Sequence, residues 1–498
     1  MRRSNRPNSL VLLVLGLFVA AGTLSACGGS AAPVQPIRGS GGATPTPRAT
    51  ATPAVTPTPV TTASPPPSSG GSEAACVLTV PGTGKTYAFV PASSTGDSQG
   101  YPDSLAEVTI ANGTTIASFA RSYAMRPAAQ RHLTRHWYSR NLRGKQYHIA
   151  ADPVSPLLGL TPGPSECGAD VTHSNLYLIS NGTEYPASPV VNVVNVSSSA
   201  TMSQTGTFTS DAATLIEYSG GSFDITGVVY DGADNAVLIS ANTGYELYGP
   251  STPFAKIKAV ADPAGRPAEN FGYNPVTDQV WSPTYDGSSG ATLSVIGMNT
   301  GSAYLDSSLP AGLGSPDSGA VDQVTNVAIA PEEGPGLVHV LNLGAATYSG
   351  TTFTAPETEF TLANVDPLVG TYVPASAVDS AQHIGFLSGE FGSTDFCAMT
   401  LPAAAGTGAP VISDWVCANF PNTPDGAAFE SPFDPHATST FDLGGKAYGL
   451  MFNTQDSYVA VIDLKAFLAA PREASPYQNT VMTGYDLVAN NVVYYIQI

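Results

Sequence analysis

The chain has 498 residues, of which only 11% are charged, and its formal net charge is −19. A chain this acidic repels a phosphate backbone, so its composition excludes nucleic acid as a partner. Glycine and proline are abundant, with 50 and 42 residues, while helical patterns of Ala, Leu, Glu and Lys are scarce, and this balance favours strands joined by turns.

The chain begins with the features of an export signal. Its first residues are basic, and residues 10–21 form an apolar run that is shorter than the roughly 20 residues needed to span a bilayer. The run ends in Leu24-Ser25-Ala26-Cys27, which resembles the lipobox of bacterial lipoproteins. The resemblance implies that residues 1–26 are a lipoprotein signal peptide and that Cys27 carries the lipid that anchors the protein to a membrane.

A linker is predicted after the lipidated cysteine. Residues 27–74 are rich in Pro, Thr, Ala, Ser and Gly and show no apolar periodicity, so they are expected to be disordered. Such a segment extends by about 3.1 Å per residue and holds the folded part away from the lipid surface. We therefore expect an extracytoplasmic, lipid-anchored location in the cell envelope, at an outer membrane or the cell surface.

One pattern recurs along residues 75–498. A short apolar strand ends near Asp, Asn or Pro and is followed by a tight turn, a second apolar strand, a loop and a third, alternating strand. Glycines at the turn of the clearest copy, Gly444 and Gly445, allow the positive φ angles of a hairpin. The turn markers are Asp231, Asn274, Pro331, Asp379, Asp442 and Asp486.

The spacing of these markers predicts a single all-β domain. It is typical of a β-propeller of about seven blades, with six or eight as alternatives. A stacked array of β-sandwiches is the competing fold. The last copy of the pattern resembles the YVTN-type β-propeller repeats of bacterial and archaeal surface proteins, in which a strand like residues 448–452 leads by a short loop to one like residues 459–463.

The resemblance also implies a function. It indicates a binding or protein-interaction platform, with a propeller enzyme as the alternative, either a lactonase-like hydrolase or a metal- or quinone-dependent oxidoreductase. In such propellers a Pro-His pair before an innermost strand points towards the central channel. Four channel or ligand candidates follow, namely His436, Asn270, Asn326 and Asp224. No catalytic residue is identified, so the binding platform is the preferred interpretation.

One helical insertion is predicted within the propeller, at about residues 120–150. Residues 127–143 suit a helix, because Pro127 fits its first turn and Gly144 its C-terminal cap. Its basic residues are candidates for binding an anionic envelope glycan or an acidic protein partner. They are Arg131, Arg135, Arg140, Arg143 and Lys145. The alternative is a helix that packs on the ring and turns its arginines to water.

Two disulfides are predicted. An even number of cysteines outside the cytoplasm favours pairing over metal binding, and the four that follow Cys27 are Cys76, Cys167, Cys397 and Cys417. Three pairings are possible. Proximity in sequence favours Cys397 with Cys417 and Cys76 with Cys167.

No cofactor is predicted, although calcium is left open. His132 and His136 stand four residues apart, as in some zinc-binding helices, but the glutamate that should follow the first histidine is absent. The loop 231–235 contains two aspartates that could bind calcium, yet these residues are equally common in ordinary turns.

Overall fold

The computed structural model of the chain divides into two compact units, Met1–Thr61 and Thr62–Ile498. The residues that it describes all belong to the second unit. They are 76–80, 85–92, 104–110, 118–124, 138–140, 146–148, 166–180, 190–196, 202–208, 216–218, 221–223 and most of 227–497, with gaps that include 307–315, 427–437 and 453–457. The signal peptide, Cys27 and the linker lie outside them and stay predictions. Among the described residues, no helix is long and apolar enough to cross a membrane.

The second unit is a β-propeller, as the sequence predicted. Six of its sheets have four strands each, and a seventh sheet has six because a hairpin extends the same four-strand arrangement. In each of these seven sheets, the first four strands pair antiparallel with one another. We number these sheets blades 1 to 7 in chain order, and their number lies within the predicted range.

Blades 1 to 3 occupy the first half of the chain. Blade 1 consists of β1 (Cys76–Val80), β2 (Lys85–Ala92), β3 (Ser104–Ile110) and β4 (Ser118–Ala124), and the pair β5 (Tyr138–Arg140) and β6 (Gln146–His148) follows it. Blade 2 consists of β7 (Glu166–Asp170), β8 (Asn175–Ser180), β9 (Val190–Val196) and β10 (Met202–Phe208), and the pair β11 (Ile216–Tyr218) and β12 (Gly221–Phe223) follows it. Blade 3 consists of β13 (Val228–Asp231), β14 (Ala236–Ala241), β15 (Gly244–Tyr248) and β16 (Lys256–Ala261).

Blades 4 and 5 share a hairpin. Blade 4 begins with β17 (Gly272–Asn274), β18 (Gln279–Asp286), β19 (Gly290–Gly297) and β20 (Ser302–Asp306). Blade 5 consists of β21 (Ala320–Asp322), β22 (Val327–Pro331), β23 (Leu337–Asn342) and β26 (Glu357–Thr361). Between β23 and β26, a 3₁₀ helix (Leu343–Ala345) leads to the hairpin β24 (Thr347–Ser349) and β25 (Thr352–Thr354). Strand β25 pairs parallel with β20, so this segment of blade 5 extends the sheet of blade 4.

Blades 6 and 7 complete the ring. Blade 6 consists of β27 (Ala375–Asp379), β28 (Ile384–Ser388), β29 (Asp395–Thr400) and β30 (Asp414–Asn419). Blade 7 consists of β31 (Thr438–Asp442), β32 (Ala447–Phe452), β33 (Tyr458–Asp463) and β34 (Val493–Gln497). A short helix, α1 (Leu464–Leu468), lies between β33 and β34.

The first strand of each blade lies innermost. Strands β1 and β7, β7 and β13, β17 and β21, β21 and β27, and β27 and β31 are neighbours, and β34 lies beside β4. Two glycines allow the inner strands to come this close. A Cβ on Gly168 of β7 would lie 2.7 Å from the carbonyl oxygen of Val228, and a Cβ on Gly272 of β17 would lie 3.0 Å from the carbonyl carbon of Ala320.

The hydrophobic core lies between neighbouring blades. Trp281 of blade 4 packs in one cluster with Leu341 of blade 5. Phe386 and Phe396 of blade 6 pack in another with Phe467 of α1. Because each sheet is covered on both faces, its inner strands are buried along their whole length rather than alternately.

One predicted disulfide is confirmed. Cys397 and Cys417 lie directly opposite each other on β29 and β30 and are bonded. Cys167 on β7 is also disulfide-bonded. Its partner lies outside the described side chains, although Cys76 begins β1, the neighbour of β7. The pairing of Cys76 with Cys167 therefore stays a prediction.

The predicted helical insertion is wrong over its C-terminal part. Tyr138–Arg140 forms a strand that pairs antiparallel with Gln146–His148. End signals and apolar residues at helical spacing predicted the helix, but Tyr and Ser favour helices only weakly, and the paired strand satisfies their backbone groups. The remainder, with Arg131, Arg135, Arg143 and Lys145, lies outside the described residues.

The sequence analysis also missed α1. This helix follows β33 directly, and its N-cap is Asp463, whose side chain accepts a hydrogen bond from the backbone N–H of Ala466 at 3.0 Å.

Candidate functional site

A turn of constant length joins the first and second strands of every blade. In each blade the last residue of the first strand pairs with the residue five positions later, from Val80 with Lys85 in blade 1 to Asp442 with Ala447 in blade 7. In blades 2 to 7 this last residue is Asp or Asn. We call these six residues the Asx ring, and they are Asp170, Asp231, Asn274, Asp322, Asp379 and Asp442.

Each side chain of the Asx ring holds its own turn. Oδ1 of Asp322 accepts hydrogen bonds from the backbone N–H groups of Val324 and Thr325, at 2.9 and 3.2 Å. Oδ1 of Asp442 does the same for Gly445, at 3.0 Å. This bonding is the physical reason why Asp and Asn are favoured at the start of such turns.

The residue just before the second strand has a left-handed backbone in five blades. Its φ angle lies between 52° and 57° at Ser174, Asn235, Asp278, Asn326 and His383. Short polar residues tolerate this conformation better than apolar ones. In blade 7 the glycines Gly444 and Gly445 adopt it instead, as the sequence analysis expected.

The Asx ring also links neighbouring blades. Each link joins a buried polar atom of one blade to a polar side chain of the next. Oδ2 of Asp231 accepts from the hydroxyl of Tyr273 at 2.6 Å, Nδ2 of Asn274 donates to Oδ1 of Asn326 at 2.8 Å, and Oδ2 of Asp322 lies 2.7 Å from Nδ1 of His383.

The described residues show no such link between blades 6 and 7. Oδ2 of Asp379 is buried and has no hydrogen-bond partner among the described residues. The corresponding turn residue of blade 7 is Lys446, whose side chain is 61% exposed and lies 3.8 Å from Asp463 instead. Burial raises the pKa of Asp379 to about 6, and the carboxylate of Asp442 adds to the rise.

Three carboxylates of blades 3 and 4 converge at this end of the ring. Oxygen atoms of Asp231, Asp234 and Asp278 all lie within 4.8 Å of one another. Burial raises the pKa of Asp278, and the charges of Asp234 and Asp231 raise it further. Tyr273 and Asn299 donate hydrogen bonds to this group. Because turn formation and these donors explain the three residues, calcium binding by the loop stays a prediction.

A second polar cluster lies where the inner strands begin. Nδ2 of Asn270 donates to Oγ of Ser318 and to the carbonyl oxygen of Ser376, both at 3.2 Å. These residues belong to blades 4, 5 and 6, and all three are fully buried. Oδ1 of Asn270 has no hydrogen-bond partner within the described part of the chain. Asn270 thus joins the inner strands of three blades, and its role as a channel or ligand residue stays a prediction.

Of the other three channel candidates, only Asn326 belongs to the described residues. Asn326 lies in the turn after β21, at the opposite end of the inner strands, so the prediction that it matches Asn270 is wrong. The repeat was aligned on apolar runs, which do not show the turn position. His436 and Asp224 lie outside the described residues. Arg140 lies in β5, and its side chain is outside the described ones, so its anion-binding role stays a prediction.

Two predicted turn markers are also wrong. Pro331 ends the second strand of blade 5 rather than the first, and Asp486 lies in the segment between α1 and β34. The actual turn of blade 5 begins at Asp322, and that of blade 2 at Asp170. A search for Asp or Asn five residues before an apolar strand would have found both.

The end of the propeller formed by these turns, which we call the turn face, exposes apolar side chains. Val276 is 81% exposed and Val324 is 58% exposed. Each stands two residues after its Asx-ring residue, in neighbouring blades whose turns are joined through Asn274 and Asn326. The exposed Asp234 belongs to the adjacent turn of blade 3. The turn face therefore combines apolar tips with negative charge.

Known proteins resemble the chain only distantly. No family model matches the chain, and no curated protein matches it. Three solved structures resemble it over most of their length. Hsv2 of Kluyvelomyces marxianus has a TM-score of 0.41 and 6% identity, with 84% of this chain and 98% of that chain covered. A "putative 6-phosphogluconolactonase" of Bacteroides uniformis has a TM-score of 0.43 and 10% identity, with 82% and 98% covered.

The third structure is KlAtg21 in complex with the coiled coil of AgAtg16. It has a TM-score of 0.41 and 8% identity, with 73% of this chain and 91% of that chain covered. At such identities no residue role is transferred from any of the three, because one fold hosts many functions.

Proposed function

We propose that this protein is a lipid-anchored binding platform on the outer side of a membrane, and that it binds a protein partner through the turn face. The exposed valines of neighbouring turns carry this proposal. Apolar surface that is contiguous marks interaction sites, whereas apolar residues scattered singly are normal. The turns that carry Val276 and Val324 are neighbours, joined by the hydrogen bond between Asn274 and Asn326.

The charge of the protein indicates the chemistry of the partner. The net charge is −19; on the turn face, Asp278 lies in the same turn as Val276, and Asp234 lies in the turn of the neighbouring blade 3. A positively charged protein segment with apolar side chains would complement such a surface. Attraction between opposite charges also steers association, and salt weakens it.

Photo-crosslinking in cells tests the binding surface. A photoreactive amino acid is placed at Val276 or Val324 on the turn face, and at Ile257 or Val411 as matched controls. The controls are 60% and 74% exposed, but Ile257 lies on the outer strand β16 and Val411 between β29 and β30. We expect one crosslinked protein shared by the two turn positions and absent from the controls, with a lower yield in high salt.

The crosslinking result can contradict the proposal in two ways. Equal crosslinking at all four positions would show that the exposure of the side chain alone determines the crosslinking yield. A lack of crosslinks at both turn positions, together with crosslinks at the controls, would move the binding surface elsewhere.

Lipid attachment needs a separate test. The Cys27→Ala variant is expected to lose incorporation of a labelled fatty acid and to leave the membrane fraction, because no acyl chain would then hold it. A Ser25→Ala variant keeps the small residues of the lipobox and should behave like the wild type. If Cys27→Ala still incorporates the label, the anchor is not at this residue.

The enzyme alternative has no observation of its own among the described residues. Of its candidates, His436 and Asp224 lie outside them, and Asn270 donates its hydrogen bonds to Ser318 and Ser376. A hydrolase or oxidoreductase activity stays a prediction from the resemblance.

A further inference from the structure

A histidine and several glutamates meet in blade 5, away from the turn face. His339 lies in the middle of β23 and is fully buried. In the pairing of β23 with β26, Glu359 stands directly opposite His339, and Glu357 stands opposite Leu341. Since alternate residues of a strand point to the same side, all three side chains lie on one side of the blade.

The three side chains also approach each other closely. Nδ1 of His339 lies 2.5 Å from a carboxylate oxygen of Glu357. One potential ligand atom from each of His339, Glu357 and Glu359 lies within 4.8 Å of the other two. A tetrahedral zinc site with bonds of about 2.0 to 2.1 Å needs ligand atoms about 3.3 Å apart, so small side-chain rotations suffice.

A fourth residue fixes the histidine. Glu332, just after β22, is 2% exposed, and its carboxylate lies 2.9 Å from Nε2 of His339. Metal-binding histidines commonly donate the proton of their other ring nitrogen to a carboxylate in this way, which orients the ring and increases its basicity. Here the arrangement directs Nδ1 towards Glu357 and Glu359.

The charge of this group is unbalanced. Three carboxylates surround one imidazole, and no described lysine or arginine forms an ion pair with any of them. Only Glu332 is buried among them, and it is already paired with His339; a divalent cation would offset the excess negative charge of Glu357 and Glu359. The group is also accessible from one side, because Glu359 is exposed and the side chain of Glu357 is 21% exposed.

We propose that His339, Glu357 and Glu359 bind a divalent transition-metal ion of the zinc class, with Glu332 orienting the histidine. The imidazole distinguishes this site from one for calcium, which takes oxygen ligands only. Three protein ligands leave a fourth position for water. The ion would join the two outer strands of blade 5 beside the hairpin that this blade shares with blade 4.

Zinc titration of the full-length chain in detergent tests this site. The protein is first stripped with a chelator, and the affinity and stoichiometry are measured by competition with a chromophoric chelator. The wild type is expected to bind one zinc ion with at least one imidazole in its X-ray absorption spectrum. Equal concentrations of calcium should not displace it.

Variants distinguish zinc binding at this site from zinc binding by other residues of the chain. Glu359→Gln changes an exposed residue, and it should leave the circular dichroism spectrum unchanged while weakening zinc binding by about tenfold or more. Glu357→Gln should weaken it similarly. Asp234→Asn, which removes a carboxylate from the cluster on the turn face, is the matched control and should bind zinc as the wild type does.

Two results would overturn the proposal. One is wild-type protein without saturable zinc binding. The other is folded Glu359→Gln and Glu357→Gln protein that binds zinc as tightly as the wild type, since the ion would then be held by residues elsewhere.

Discussion

The junction between blades 5 and 6 and the junction between blades 6 and 7 place the same residue type in different electrostatic surroundings. Asp322 ends the inner strand of blade 5, and its second carboxylate oxygen lies 2.7 Å from Nδ1 of His383 in blade 6. Asp379 ends the inner strand of blade 6, and its second oxygen is buried without a hydrogen-bond partner among the described residues.

The difference arises from one turn position. His383 stands just before the second strand of blade 6, and Lys446 stands at the same place in blade 7. The ring of His383 lies within hydrogen-bonding distance of Asp322, whereas the side chain of Lys446 is largely exposed to water. Each of the two junctions therefore has a buried carboxylate, but only the junction between blades 5 and 6 has a donor for it. Four variants test this comparison.

The largest effect is expected from breaking the paired junction. His383→Ala leaves Asp322, whose side chain is fully buried, without its partner, as Asp379 already is. We expect the free energy of unfolding to fall by about 3 kcal/mol, because an unpaired buried carboxylate is costly. Denaturant unfolding at neutral pH measures the loss. A loss below about 0.5 kcal/mol, typical of surface sites, would show that the pair does not stabilise the junction.

A smaller loss is expected at the junction between blades 3 and 4. Tyr273→Phe removes only the hydroxyl that donates to Asp231 at 2.6 Å and to Asp278 at 3.2 Å. Loss of a hydrogen bond to a charged acceptor should lower the free energy of unfolding by about 2 kcal/mol. Urea unfolding provides the value. An unchanged midpoint would mean that water replaces the hydroxyl.

At the unpaired junction between blades 6 and 7, a substitution should increase the free energy of unfolding instead of lowering it. The folded state raises the pKa of Asp379 from 3.8 to about 6. Its contribution to stability is therefore fully present below about pH 4 and is lost as the pH rises through about 6. Asp379→Asn removes this loss, so the variant should gain about 1 to 3 kcal/mol over the wild type at pH 7 and much less at pH 4.

Unfolding curves measured from pH 4 to pH 8 test the Asp379→Asn prediction. The reverse change, Asn274→Asp, is the matched control, because it removes a donor to Asn326 and should destabilise the protein at pH 7. If the gain from Asp379→Asn does not depend on pH, the carboxyl group does not titrate in this range in the folded protein.

The smallest effect is expected at the tips of the turns. Val276→Ser changes a side chain that is 81% exposed, and its backbone N–H still donates to Oδ1 of Asn274. Stability should change by less than about 0.5 kcal/mol. Thermal unfolding checks this value. A larger loss would mean that Val276 stabilises the turn itself, and the case for a binding role would weaken.

The sequence predicted the fold well because the propeller repeats local features. Apolar strands and turn residues recur within each blade, so the all-β class, the range of blade number and the turns at Asp231, Asn274, Asp379 and Asp442 could be inferred. The disulfide between Cys397 and Cys417 followed from proximity, since neighbouring strands of one blade are close in sequence. The helix over residues 127–143 was inferred from end signals and from apolar residues at helical spacing, and pairing of Tyr138–Arg140 with Gln146–His148 contradicted its C-terminal part.

The candidate sites were harder to predict because they depend on contacts between distant residues. Asn270, Ser318 and Ser376 meet although up to 106 residues separate them. His339 approaches Glu357 because β23 pairs with β26, although a hairpin that joins blade 4 is inserted between these two strands. Neither group forms a recognisable motif along the chain.

The sequence by itself determined that strands form, where most of them turn and which residue type begins each turn, because these properties depend on residues within a few positions. Only the tertiary structure decided which buried polar atoms find partners. Among the described residues, the equivalent aspartate is paired in blade 5 and unpaired in blade 6. The partner would come from the turn of the next blade, and only the arrangement of the blades around the ring brings His383 or Lys446 next to that aspartate.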